Sequence, residues 1–354
     1  MSLLEQLRVA LRAQQSDVLI ITSNQNRRYL TGFTGSAGTV VITPTQALLL
    51  VDFRYTQQAT NQSKEFDVRE IDRSRLYETI QEILDTESIQ TIGFEQQHVT
   101  YEVYQLMASK LTATLKPLSN IVENLRMIKT PEEIELIKKA AWISDEAFKY
   151  ILTFIKPGVS EIDIANELEF HMRKNGATGA AFDIIIASGH RSALPHGVAS
   201  DKIIEEGDML TLDFGAYYQG YRSDMTRTIA VGEPPGKLKE IYQIVYDSLQ
   251  IALSNMRAGM TGKEADSFSR EFIKAKGYGK NYGHGSGHGI GLDIHENIFM
   301  SPVCEDILEE NMVLTVEPGI YIPNLGGVRI EDDVIVTKNG VEVITHSPKA
   351  LIIL

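Results

Sequence analysis

Residues 156–176, KPGVSEIDIANELEFHMRKNG, resemble residues 257–277, RAGMTGKEADSFSREFIKAKG. In each, a long helix stops at a glycine, Gly158 or Gly259. A new helix then starts from a capping hydroxyl, Ser160 or Thr261, with an acid three residues on, Asp163 or Glu264. After each comes a β-rich stretch carrying two acids. MLTLDFGAYYQGYRSDMTRTIAV holds Asp213 and Asp224, and VLTVEPGIYIPNLGGVRIEDDVIV holds Glu317 and Glu331. The first acid of each pair stands at nearly the same distance from its cap. A duplicated helix–helix–hairpin unit is therefore expected, two halves facing each other across one site.

The paired acids dictate the chemistry. Asp213 and Asp224 flank the turn-like YYQG (217–220); a hairpin centred between Tyr218 and Gln219 sets them directly opposite. Opposed side chains share a face, with Cβ atoms about 4.5–5.5 Å apart. Glu317 and Glu331 flank PNLGG (323–327), and a hairpin centred on Asn324 opposes them as well. The strands MLTLDF and VLTVE are apolar enough to be central, so the carboxylates are buried together and repel unless a cation sits among them. The segment HGSGHGIGLDIHE (284–296) adds His284, His288 and His295. Four carboxylates and one imidazole form a hard, oxygen-rich donor set suited to manganese, cobalt, zinc or iron. Four negative charges match two dications, and a two-metal site about 3.5–4 Å across activates water for hydrolysis. A nucleotide loop is excluded, because the glycines do not follow the G-x-G-x-x-G pattern between strand and helix and no lysine follows them.

A net charge of −13 argues against a nucleic-acid partner. One cysteine, Cys304, rules out an internal disulfide and suits a reducing compartment. The start of the chain mixes charges through an amphipathic helical pattern with no signal-like core, and no apolar run is long enough to span a membrane. A soluble, cytoplasmic protein without membrane contact is expected. Residues 1–122 read as an α/β domain, with strands at 17–23, 39–43, 47–52 and 91–95 and helices at 75–84 and 99–111. Residues 123–354 form the second domain. It opens with a helix that Thr130 caps, with Pro131 in its first turn and Glu133 completing a capping box. Trp142 is expected in the core on this helix's apolar side. His98, His171, His190 and His346 lie outside the motifs and read as structural.

The stretches SGHRSALPHG, GDMLTLDFGAYYQGYRSDMTRT, HGSGHGIGLDIHE, VLTVEPGIYIP and GVRIEDDVIVT resemble the pita-bread metallopeptidases, and within them the Xaa-Pro aminopeptidases and prolidases. NRRYLTGFTGSAG and VDFRYTQQA resemble the creatinase-like amino-terminal domain of the same enzymes. The resemblance implies an α+β architecture with duplicated halves. It makes Asp213, Asp224, His288, Glu317 and Glu331 the ligands of two divalent ions, foremost manganese, with a bridging hydroxide as nucleophile. Glu317 would also move protons, His196 and His295 would face the substrate, and His284 would line the pocket wall. Arg329 and Tyr321 would steady the ligands. The substrates implied are proline-containing peptides, cut before the proline, in a homodimer whose amino-terminal domain limits substrate length. The amino-terminal stretches look closer to the Xaa-Pro aminopeptidases, with prolidase as the alternative. Creatinase-like hydrolases without metal and non-enzymatic binding proteins on this fold lose ligands, whereas all five ligand positions are filled here.

Overall fold

The computed structural model describes residues 1–354, which form two compact units, Met1–Arg126 and Met127–Leu354. No helix is long and apolar enough to cross a membrane.

The first unit runs α1 (Leu3–Ala13), β1 (Val18–Ile21), α2 (Asn24–Thr31), β2 (Thr39–Ile42), β3 (Ala47–Val51), α3 (Thr56–Gln62), β4 (Asp67–Glu70), α4 (Leu76–Glu87), β5 (Thr91–Glu95), α5 (Tyr101–Lys110), β6 (Thr114–Leu118) and α6 (Glu123–Arg126). Its six strands form one mixed sheet in the order β4-β3-β2-β1-β5-β6. Side chains alternate across it. Leu19, Ile21, Val40 and Leu49 feed one core, and Val18, Ile20, Val41 and Leu48 feed the other. Burial on both faces explains why these strands read as continuous apolar runs. The unit ends four residues beyond position 122, because α6 belongs to it. Asn26 donates to Glu123 and accepts from Arg126 Nη1 at 2.6 and 2.8 Å.

The second unit runs α7 (Pro131–Ile151), α8 (Glu161–Lys174), β7 (Gly179–Ala180), β8 (Ile185–Ser188), β9 (Met209–Phe214), β10 (Ala216–Tyr218), β11 (Tyr221–Arg222), β12 (Met225–Ala230), α9 (Gly236–Asn255), α10 (Gly262–Ala275), β13 (Gly287–Gly289), β14 (Glu296–Met300), β15 (Val313–Val316), β16 (Gly319–Ile322), β17 (Gly326–Arg329), β18 (Asp332–Thr337) and β19 (Gly340–Val343). Thr130, Ser160 and Thr261 each close a capping box, with Glu133, Asp163 and Glu264. On α8 the buried Ile164, Leu168 and Met172 recur every fourth residue. On α10 Ala265, Ser269 and Ile273 do the same.

The duplication is visible bond by bond. Gly158 N donates to Ile204 O at 3.0 Å and Gly259 N to Leu308 O at 2.8 Å; Ile162 N to Ser200 O (2.9 Å) is matched by Lys263 N to Cys304 O (2.8 Å). Each half has a core of its own. Phe148, Leu168, Leu210, Leu212 and Phe214 pack in the first, and Leu249, Ile273, Leu314, Val334 and Val336 in the second. The long helices stop at Ile151 and Asn255, short of the glycines that were expected to end them. Gly158 and Gly259 instead sit in the turns that follow, at φ 92° and 89°. Trp142 is not core. It is 44% exposed, and Lys139 Nζ lies 3.4 Å from its ring centre.

Candidate metal centre

Two hairpins carry the acids. In the first, β9 pairs with β12 so that Asp213 faces Thr226 and Phe214 faces Met225, while β10 pairs with β11 as Tyr218 to Tyr221. The turn is therefore Gln219–Gly220, both at positive φ (45° and 90°). This is one residue beyond the centre expected from the sequence. Asp213 and Asp224 are diagonal rather than opposed. They still share a face, because moving the centre by one residue moves the partner by two, the period of the pleat. The ladder breaks beside Asp224 at Gly215, where an added Cβ would lie 1.7 Å from Ser223 O. In the second hairpin, Val316 faces Asp332 and Gly319 faces Arg329. That is the register centred on Asn324, and it sets Glu317 and Glu331 across from each other between the two ladders.

His288 sits on the short strand β13, pressed against β15. A Cβ on Gly287 would come within 2.0 Å of Thr315 O, so only glycine lets the imidazole's strand approach so closely. His288 Nδ1 lies 3.0 Å from Gly289 O. A carbonyl only accepts, so Nδ1 carries the proton and Nε2 presents its lone pair. Burial holds the ring's pKa down to about 4, which keeps it neutral. Nε2 lies 3.7 Å from Asp224 Oδ2 and 3.6 Å from Glu317 Oε1.

These groups meet at one cavity of about 570 Å³. Asp213, Asp224, His288, Glu317 and Glu331 line its floor, together with His284 and Arg329, and His196 and His295 line it too. Ligand atoms of Asp224, His288 and Glu331 all lie within 4.8 Å of one another. Burial, and then the neighbouring Glu331, Asp213 and Asp333, push the Asp224 carboxyl far above its usual range. Burial followed by Glu317 and Asp213 does the same to Glu331. Glu317 is raised to about 7 by burial, with Arg329 opposing and Asp213 adding to the rise. Asp213 Oδ1 and Asp224 Oδ1 are buried without a hydrogen-bond partner. Orphaned carboxylate oxygens, mutually repelling acids and an imidazole lone pair aimed at them fit divalent cations, and no protein group present satisfies them instead.

A hydrogen-bonded chain supports this floor. Arg329 donates to Asp213 Oδ2, to Tyr321 Oη at 2.8 Å and to Thr226 Oγ1 at 3.1 Å. Tyr321 Oη lies 2.9 Å from His284 Nε2, and His284 Nδ1 lies 2.7 Å from Gly285 O. Tyr321 itself stands behind the cavity wall. His295 stacks edge-on over His288, ring centres 4.3 Å apart. Its pKa is lowered by burial and then by His196, so it is a neutral hydrogen-bond donor at pH 7.

Sequence reasoning missed several residues of this neighbourhood. Thr226 Oγ1 donates to Glu331 Oε2 at 2.5 Å, and Asp224 N donates to Asp333 Oδ2 at 2.8 Å. Arg227, 1% exposed, donates to Asp332, Glu331 O and Ser347 O. Only Thr226 carried a signal, as the residue two beyond Asp224 on the same strand face.

Comparison with known proteins follows the same lines. The profile of Metallopeptidase family M24 matches residues 135–338, and that of the Creatinase/Prolidase N-terminal domain matches residues 4–128. The chain is 42% identical over 338 residues to the Xaa-Pro dipeptidase of Pyrococcus furiosus, covering 95% of each. A solved structure of an Xaa-Pro dipeptidase from Bacillus anthracis is similar with a TM-score of 0.98 and 52% identity, covering 99% of both chains. That of an X-Pro aminopeptidase from Thermotoga maritima gives 0.91 and 40%, covering 98% of this chain and 100% of the other. The buried acid-and-imidazole floor, the duplicated halves of the pita-bread fold and these matches along the whole length agree: the chain belongs to metallopeptidase family M24, with a creatinase/prolidase amino-terminal domain ahead of the catalytic one.

Proposed function

We propose that this protein hydrolyses the peptide bond between an amino-terminal residue and a following proline, with Xaa-Pro dipeptides as its preferred substrates. The observation that carries the hydrolytic reading is the shared floor formed by the buried Asp213, Asp224, His288 and Glu331 together with the partly buried Glu317. These five would hold two divalent cations, foremost manganese, with cobalt, zinc or iron compatible with the same donors. When bound, such cations supply Lewis acidity and lower the pKa of water. The chain's residues do the rest. Glu317 takes a proton from the attacking water and delivers it to the departing proline nitrogen. His196 and His295, lining the same cavity, donate to the carbonyl oxygen as negative charge develops there. Tyr321 and Arg329 fix Asp213 and His284 in place. Pairing of two chains, and a cytoplasmic setting suited to the lone Cys304, belong to the same reading.

The dipeptide preference is supported by relatives named Xaa-Pro dipeptidase that match nearly end to end. A second reading, longer Xaa-Pro peptides, is the one expected from the sequence, and one feature of the cavity favours it. Arg329 is its only lining Arg or Lys, and Asp213, Tyr321 and Thr226 already engage that guanidinium. No cation of the lining is left for a dipeptide's carboxylate. The test strips the protein with chelator and restores manganese or cobalt while following Xaa-Pro and Xaa-Pro-Xaa hydrolysis. Loss and recovery of activity are expected, and activity indifferent to chelation would sink the mechanism. Faster turnover of the tripeptide than of the dipeptide would move the reading to aminopeptidase.

A further inference from the structure

His196 makes no hydrogen bond through its ring and stands exposed at a bend, so its place in the cavity is set by the backbone that carries it. That backbone is hung on one carboxylate. Glu161, the first residue of α8, is 0% exposed. Its Oε1 accepts from Ser188 N and Ser188 Oγ, both at 2.8 Å; its Oε2 accepts from Ser200 N at 3.1 Å, Ser200 Oγ at 2.6 Å and Arg191 Nη1. Arg191 Nη2 reaches on to Val198 O at 2.9 Å. Both ends of the segment 188–200 are thus tied to a single buried group, with His196 between them. A buried charge is weak evidence for stability by itself, since apolar packing serves a fold as well. Five donors converging on one carboxylate do something packing cannot: they fix a loop's path.

The other half has the same device in a different place. The counterpart of Glu161 is Gly262, where an added Cβ would meet Phe299 O at 2.3 Å, so no carboxylate fits there. One turn further along α10, Asp266 takes the part. It is 1% exposed and accepts from Ser286 N at 3.1 Å, Ser286 Oγ at 2.7 Å and Arg270 Nη2 at 2.7 Å. Arg270 Nη2 also reaches His284 O at 2.7 Å. This loop carries His284 and leads into His288.

We propose that Glu161 and Asp266 are positioning residues with separate tasks: Glu161 sets His196 on the substrate side, and Asp266 sets the segment His284–His288 on the metal side. The inference rests on the roles given to those histidines above. It predicts a split that general loosening of the fold does not produce. In the full-length metal-loaded protein, Glu161→Gln lowers kcat on an Xaa-Pro dipeptide by about 10- to 100-fold, the scale of an ångström-sized misplacement, with metal content unchanged. Asp266→Asn instead weakens retention of manganese by about 10- to 100-fold, read as metal content after dialysis against buffered free metal. In a His196→Ala background, Glu161→Gln changes kcat by less than about twofold, because the group it positions is gone. Ser200→Ala, a milder cut in the same tether, shifts kcat in the same direction without lowering the melting temperature. Equal loss of metal in both carboxylate variants, or a Glu161→Gln effect that persists in full without His196, would overturn the proposal. A silent His196→Ala would overturn it for Glu161 while leaving Xaa-Pro hydrolysis standing. Failure of the unmodified protein to cleave Xaa-Pro would overturn the functional reading instead, and metal retention in Asp266→Asn still decides the other half.

Discussion

Thr226 shows how much a single hydroxyl carries at this centre. It faces Asp213 across the ladder, donates to Glu331 Oε2 and accepts from Arg329 Nε. Replacing it with valine keeps the shape and removes both bonds, which leaves a buried carboxylate and a guanidinium each one partner short. A loss of about 1–3 kcal/mol is expected from such orphaned groups, together with weaker metal retention. Urea unfolding of Thr226→Val checks the first and metal content the second; wild-type values in both would remove Thr226 from the supporting network. His295 makes the opposite case. Its ring packs on His288 yet is exposed to the cavity. His295→Ala should therefore keep its metal while losing turnover by about a hundredfold, the scale of a lost donor to a developing oxyanion. Loss of metal in that variant would place His295 among the ligands instead.

At the scale of elements, β13 is the tightest piece of construction. Gly287 meets Thr315 O so closely that alanine there must push β13 from β15 and carry His288 with it. Gly287→Ala is expected to cost more than about 2 kcal/mol, as overpacking with no room to relax does, and to lose metal. A variant with unchanged urea midpoint and full metal would mean the strand has slack. What the sequence revealed about these elements follows from range. Capping boxes at Thr130, Ser160 and Thr261 are local patterns, and they start helices where expected. The Glu317–Glu331 register was legible because PNLGG marks its own centre. YYQG did not mark its centre, since Gln219 adopts a left-handed conformation that its identity does not announce. Trp142 was misplaced because helical periodicity gives a face and not its covering; a lysine at 139 stacks on it in the open. Arg227, Asp332 and Asp333 stayed hidden because their partners lie far along the chain, at Ser347, Arg227 and Asp224. No window of sequence contains such a pair.

For the whole molecule, the buried acids make metal and pH two handles on one stability. In the folded, metal-free chain Glu317 titrates near 7 and the Asp224, Glu331 and Asp333 carboxyls sit well above their ordinary range, chiefly through burial. In the unfolded chain all four return to ordinary carboxylate values near 4. Between those limits the folded state holds more protons than the unfolded state, so stability falls as pH rises. For Glu317 the contribution is intact below about 4.5 and lost as pH climbs through about 7. His284 and His288, both held to about 4, act in the opposite sense up to about 6.5, where the unfolded chain takes up protons that they do not, so they weaken the trend below that pH and leave it to the carboxyls above it. Cations that bind only the folded, deprotonated site act in the reverse sense, competing with protons at low pH and relieving repulsion at high pH. The melting temperature gained on adding manganese should thus be small at pH 5 and grow to pH 7.5, while the chelated protein alone loses stability chiefly toward the upper end of that interval. Differential scanning calorimetry of chelated and reloaded protein across that range tests both arms. A gain independent of pH would mean that the four carboxyls are already ionised without metal, and that the cavity floor is not the electrostatic trap its burial makes it.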